Sequence, residues 1–211
     1  MNRRELSGLL LAAGLAPAFP VAAQTATPVE GKDFTRISPP QPAAAAGQVE
    51  VLEFFSYGCP HCSVFEPMLD AWAKKLPAYV TVRRVPVPFL FNAENFQRTY
   101  YSLETLGLVE MMQKKIFAAV HVEKLRLDKP EDIAALVAKN GGDSAKFLAA
   151  FRSFSVATAI SRARKLTTDY KIDGVPTLAV NGQYLTAPST AGSAERALAV
   201  TDWLIAQSRK G

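Results

Sequence analysis

The sequence predicts an α/β protein in which a small mixed sheet, flanked by helices, is interrupted by an all-helical insertion. Three observations carry this expectation. Stretches dense in β-branched and aromatic residues, the signature of buried strands, fall only towards the two ends of the chain: Val49–Ser56, Tyr79–Val87, Thr177–Val180 and Gln183–Thr186. Between them, from Asn95 to about Lys171, apolar residues recur at three- and four-residue steps, as in Phe96/Tyr100/Leu103, Met112/Ile116/Val120 and Ile133/Leu136/Val137. The chain also has only two cysteines, Cys59 and Cys62, so a packed core and not a disulfide framework must hold it together. Its 211 residues suffice for one or two domains with a substantial interior. With 49% apolar and 20% charged residues, disordered and collagen-like classes are excluded. The formal charge of +5 is spread without long basic runs, so it reads as solubility and not as a nucleic-acid surface.

Residues 1–23 read as an export leader. Arg3 and Arg4 precede an apolar stretch at Leu9–Ala16, and Val21-Ala22-Ala23 offers small residues for cleavage after Ala23. Pro17 and Pro20 end the apolar stretch well short of the roughly 20 residues a membrane span needs. The arginine pair also resembles a twin-arginine signal. Export places the mature chain in an oxidising compartment, which in a bacterium is the periplasm.

Residues 24–48, rich in Pro and Ala, read as an extended tether with at most a short edge strand at Phe34–Ile37. Val49–Ser56 is a strand that stops at Tyr57-Gly58, and a helix follows from Cys59 to about Leu76, with Pro60 in the first turn where its missing N–H costs nothing. Tyr79–Val87 is a second strand. The helical block contains four or five helices, punctuated by Asp128-Lys129-Pro130 and Asn140-Gly141-Gly142. Asn181-Gly182 then forms a two-residue hairpin turn between two strands, and Ala194–Ser208 is a final amphipathic helix. Residues 49–94 and 172–211 thus form one α/β unit and 95–171 an inserted helical one.

Cys59-Pro60-His61-Cys62 sits where the first strand turns into the first helix. As a structural disulfide the pair closes a ring so small that chain entropy assigns it only about 2 kcal/mol. As half of a zinc site it lacks partners, since His121 is the only other histidine. Inert core thiols are a third reading. The reading favoured by the local sequence is a redox-active dithiol. At a helix start the Cys59 sulfur faces unpaired backbone N–H groups and the positive end of the helix dipole, which stabilise a thiolate. His61 can add a donor or a positive charge, and Cys62, one turn inside, is expected to be the buried resolving thiol. A stabilised thiolate makes the disulfide a stronger oxidant.

The segments Phe54-Phe55-Ser56, Cys59-Pro60-His61-Cys62, Phe65-Glu66, Gly174-Val175-Pro176 and Val180-Asn181-Gly182, in this order, resemble the DsbA family of periplasmic thiol–disulfide oxidases. The resemblance implies a thioredoxin-like fold with an inserted helical domain. It implies donation of the Cys59–Cys62 disulfide to reduced, newly exported polypeptides, and reoxidation by a DsbB-like, quinone-linked membrane protein. It implies a cis peptide bond at Val175-Pro176 beside Cys59, in a loop whose Val175 N–H and C=O are free to pair with an extended client segment. Glu53 matches the buried glutamate that relays a proton to or from Cys62. Alternation along Val49–Ser56 supports burial, because Glu53 shares its face with Val51 and Phe55, although an edge position reaching solvent is the other reading. Glu66 matches a charge near that acid. Arg84 stands loosely in place of the family's lysine, with Arg83 adjacent.

No metal or cofactor is expected, and the chain is expected to be a monomer, since residues 24–48 are too short and Pro-rich for a dimerisation domain. His121, Tyr100, Tyr101, Met111, Met112, Phe147 and Phe151 read as structural. A reductase or isomerase is the alternative within the same chemistry, and a polypeptide-binding holdase with an incidental disulfide is the alternative from another class.

Overall fold

The computed structural model describes residues 27–209, so the expected leader and its cleavage after Ala23 lie outside the described residues. Five strands, β1 (Thr35–Arg36), β2 (Val49–Phe55), β3 (Val80–Pro86), β4 (Thr177–Val180) and β5 (Tyr184–Thr186), form one mixed sheet in the order β1-β5-β4-β2-β3. β2 runs parallel to β3 and antiparallel to β4, so the C-terminal hairpin joins the sheet begun at Val49, as expected. Helices α1 (Pro60–Ala73) and α8 (Ala194–Ser208) cover one face. Helices α2 (Ala93–Thr105), α3 (Val109–His121), α4 (Pro130–Lys139), α5 (Ser144–Phe151) and α6 (Phe154–Asp169) fill the segment between β3 and β4, and a one-turn α7 (Pro188–Ala191) precedes α8.

The central strand is buried on both faces. Val49 and Val51 pack with Phe65, Leu69, Leu178, Val180, Leu198 and Leu204 on the α1/α8 side. Leu52 and Phe54 face the helical insertion and share one continuous core with Phe96, Leu103, Met112, Ile116 and Ile133. Each fully buried side chain of this size contributes about 1.5–3 kcal/mol, so the insertion is stabilised by the same core as the sheet.

Several boundaries differ from the sequence reading. α1 stops at Ala73, not Leu76, because Pro77 disfavours helical backbone in the residue before it; Lys75 and Leu76 close a tight turn instead. α7 carried no periodic signal. The segment expected to be a tether is sewn to the sheet: β1 pairs with β5, the Gln41 N–H donates to the Gly182 carbonyl (2.8 Å), and the Ala44 N–H donates to Asn181 Oδ1 (3.0 Å). Asn181 (φ 48°) and Gly182 (φ 69°) form the expected hairpin turn.

Candidate active site: a dithiol at a helix start above a buried ion cluster

Cys59 is the N-cap of α1. Its backbone is extended (φ −93°, ψ 117°), Pro60 occupies the first helical turn, and the sulfur accepts from the Cys62 N–H at 3.4 Å. Gly58 lets the turn close: a Cβ there would lie 3.0 Å from the Phe91 carbonyl oxygen and 3.3 Å from a Phe96 ring carbon. Both cysteines are free thiols, Cys59 5% exposed and Cys62 fully buried.

Their acidities diverge. Cys59 is lowered from an ordinary 9.0 to about 6, chiefly by the Cys62 thiol donating to it, with burial opposing and the Cys62 and His61 backbone N–H groups and the His61 charge helping to a lesser degree. Burial, above all, pushes Cys62 far above the ordinary thiol range. The helix start and His61 therefore act in the expected direction, but the strongest influence is the partner thiol.

The Val175–Pro176 bond is cis and lies beside Cys59, as is expected from the family resemblance; Ser38–Pro39 is also cis, without any signal read in the sequence. In one respect the expectation for this loop is corrected. The Val175 carbonyl is not free in the dithiol form, because it accepts from Cys59 Sγ at 3.4 Å. A cavity of about 380 Å³ adjoins the loop, lined by His61, Val64, Val175, Pro176, Pro188 and Ala194. A larger one of about 640 Å³, between the Gln41–Ala44 segment and α6, lies away from the cysteines.

Beneath the dithiol lies a buried ion cluster whose membership follows from strand register. Glu53 on β2 pairs directly with Arg84 on β3, whereas Arg83 pairs with Leu52. Because side chains alternate across a sheet, Arg84 shares the Glu53 face and Arg83 points to the opposite one, where it meets Glu50 at 3.0 Å. Arg84 Nε donates to Glu53 Oε2 (3.0 Å) and its Nη2 to Glu66 Oε1 (2.9 Å). Glu53 is fully buried, which settles against the solvent-facing reading, and its Oε1 has no hydrogen-bond partner. Burial raises its carboxyl to about 8 against the opposing Arg84 charge, with the Glu66 charge adding to the rise. Glu66 is raised too, again by burial.

One neighbour, Gln113, escaped the sequence reading, and a second, His121, has the structural role expected of it. Gln113 on α3 is buried, donates Nε2 to Glu66 Oε2 (3.3 Å) and accepts at Oε1 from the Tyr57 hydroxyl (2.5 Å). The available signal was an amide at an inward position of α3, next to Met112 and one turn before Ile116 and Phe117. His121, at the end of α3, meets the Tyr57 carbonyl through Nε2 at 2.7 Å, two residues before Cys59. It joins the helical insertion to the cysteine turn.

A cysteine pair opening a helix that leaves a mixed sheet, beside a cis-proline loop, defines a thiol–disulfide oxidoreductase of the thioredoxin-like class. Comparison with known proteins narrows the class. The model of the DSBA-like thioredoxin domain family matches residues 84–196. The thiol:disulfide interchange protein DsbA of Burkholderia cepacia is 42% identical over 97% of this chain and 97% of its own, and that of Bordetella parapertussis 41% identical over the whole of both. The crystal structure of Pseudomonas aeruginosa DsbA superposes with a TM-score of 0.83 at 37% identity, covering 87% of this chain and 95% of that one. The chain belongs to the DsbA family.

Proposed function

We propose that the Cys59–Cys62 disulfide is donated to reduced cysteine pairs of exported polypeptides, the chain acting as a dithiol oxidase in the periplasm. A client thiolate attacks Cys59 Sγ, the Cys59–Cys62 bond breaks, and Cys62 leaves as a thiolate that takes a proton. A second client thiolate then attacks the client sulfur of the mixed disulfide and Cys59 leaves. Two electrons pass from client to enzyme, one proton ends on Cys62, the other is released to solvent because Cys59 leaves as a thiolate, and the client disulfide is complete.

The observation that carries this reading is the unequal acidity of the two thiols. Cys59, the more exposed sulfur, is an electrophile whose leaving form is stable, since with a pKa of about 6 it departs as a thiolate at neutral pH. At pH 7 the one unit between pKa and pH favours the reduced form by about 1.4 kcal/mol, roughly 30 mV for a two-electron couple. Pro60 and His61 shape that sulfur's surroundings. Glu53, protonated up to about pH 8, relays to Cys62 the proton that its thiolate needs and then regains one from solvent, with Glu66 and Arg84 as supporting charges. Val175 and Pro176, with the adjoining groove, hold the client segment, and the Val175 carbonyl is open to it in the disulfide form, where Cys59 has no thiol proton to donate. Reoxidation falls to a quinone-linked membrane protein of the DsbB type, and the enzyme works as a monomer after loss of residues 1–23.

Equilibration in glutathione buffers of known poise tests the direction of transfer. An oxidase gives a potential less negative than about −200 mV; a value near −270 mV assigns the chain to reductive work instead. Cys59→Ser abolishes catalysis of client oxidation, whereas a holdase keeps its activity.

A further inference from the structure

Glu53, Glu66 and Arg84 together carry one net negative charge when both acids are ionised, and burial favours the neutral cluster in which one acid keeps a proton. The two acids are not equivalent. Glu53 accepts one hydrogen bond, from Arg84 Nε, and leaves Oε1 without a partner, whereas Glu66 accepts from Arg84 Nη2 on one oxygen and from Gln113 Nε2 on the other. Donors to a carboxylate favour its charged form.

The amide of Gln113 has two possible orientations, and Tyr57 selects one. Burial keeps the Tyr57 hydroxyl protonated. By donating to Oε1 at 2.5 Å it turns Nε2 towards Glu66 at 3.3 Å. The reverse orientation sets the amide oxygen against Glu66 and stabilises that acid only when it is protonated. We infer that Gln113, oriented by Tyr57, is a positioning residue that keeps Glu66 ionised and so assigns the single proton of the carboxyl pair to Glu53, beneath Cys62.

The other charges around Glu66 agree with its being the ionised member. It lines a cavity of about 610 Å³ together with Arg84, Gln113, Lys74 and Lys114, of which both lysines are more than half exposed. Asp70 and Glu110, also on this wall, oppose them, but Asp70 is engaged by Lys74 and Lys114 and Glu110 by Lys74. Cys62, Tyr57 and Glu66 are the titratable groups facing Glu53, and Arg84 is its only cationic partner in the described residues. The inference rests on the Glu53 relay proposed above and extends it to a residue of the helical insertion.

The test uses the reduced full chain with carbon-13 at the glutamate carboxyls, so that Glu53 and Glu66 titrate separately by NMR. In Gln113→Leu the Glu66 midpoint rises by about one unit, as loss of a long hydrogen bond to an ionised acceptor requires. Because the pair shares a proton, the Glu53 midpoint falls. Release of the mixed disulfide at pH 7 slows by about three- to tenfold, while the Cys59 thiolate midpoint stays in place. Tyr57→Phe, which frees the amide to turn, shifts both acids the same way by less. A loss of packing alone moves no carboxyl midpoint. Gln113→Leu decides where it folds and Tyr57→Phe where it does not, and midpoints unmoved by 0.3 units overturn the inference. Failure of the relay itself reads differently: Glu53→Gln then leaves the release rate unchanged whatever the midpoints do.

Discussion

Replacing Arg84 by methionine removes the cation that bridges two buried carboxyls while keeping most of the side-chain volume. The pair contacts are 3.0 and 2.9 Å, with Glu53 fully buried and Glu66 nearly so, which puts Arg84→Met in the range of about 3–5 kcal/mol for a broken buried pair. That cost depends on pH, because the stranded acids escape it by binding protons. In the native protein one acid of the pair holds a proton near neutrality; without Arg84 both do. Each additional proton held by the folded state and released on unfolding lowers stability by about 1.4 kcal/mol per pH unit above the unfolded carboxyl pKa of about 4.3. The sign follows from a raised folded pKa: the contribution is complete below the unfolded value and is lost as pH rises. The penalty of Arg84→Met is therefore small at pH 4.5 and grows by roughly 3 kcal/mol by pH 7. Urea unfolding of the reduced protein across this range measures it. Arg83→Met is the control, since the Arg83–Glu50 pair is 42% and 30% exposed at its side chains and is worth at most about 1 kcal/mol at any pH. Equal, pH-independent penalties for the two variants refute the reasoning.

Thiolate absorbance against pH places the Cys59 midpoint near 6 in the wild type. Cys62→Ala raises it more than His61→Ser does, because the Cys62 thiol is the larger stabiliser; the opposite order contradicts the assignment. Glu53→Gln slows protonation of Cys62 and release of the mixed disulfide but not the first attack, as read by stopped flow. It also flattens the stability profile between pH 5 and 8, because a carboxyl raised to about 8 loses its contribution over that window and an amide does not titrate. Gly182→Ala destabilises the fold by about 2–4 kcal/mol in chemical unfolding. The new Cβ would stand 2.3 Å from the Gln41 carbonyl oxygen, at a residue with φ of 69°.

What could be read from sequence alone is what local pattern encodes. The dithiol was legible because its chemistry lies within four residues at a strand–helix junction, and helix-start physics needs no partner from elsewhere in the chain. Burial of Glu53 was legible because period-2 alternation left both faces of β2 apolar. The final helix, Ala194–Ser208, matched its predicted bounds because Ser193 caps it, accepting from the Arg196 N–H.

Local pattern settled the element order apart from α7, the place of the redox pair and, together with the family resemblance, the acid beneath it. The family resemblance points only loosely to Arg84, with Arg83 an equally basic neighbour; the parallel register of β3 against β2 is what sends Arg84 to Glu53 and Arg83 to Glu50. The residues from Gln41 to Ala44 looked like a tether because nothing in their composition announces hydrogen bonds to a turn more than a hundred positions away. Gln113 and His121 reach Tyr57 and Glu66 from a helix 47 to 64 residues further along the chain. Periodicity reports which face of a helix is buried, but the partner met there is fixed by packing between elements, so these contacts exist only once the insertion has docked on the sheet.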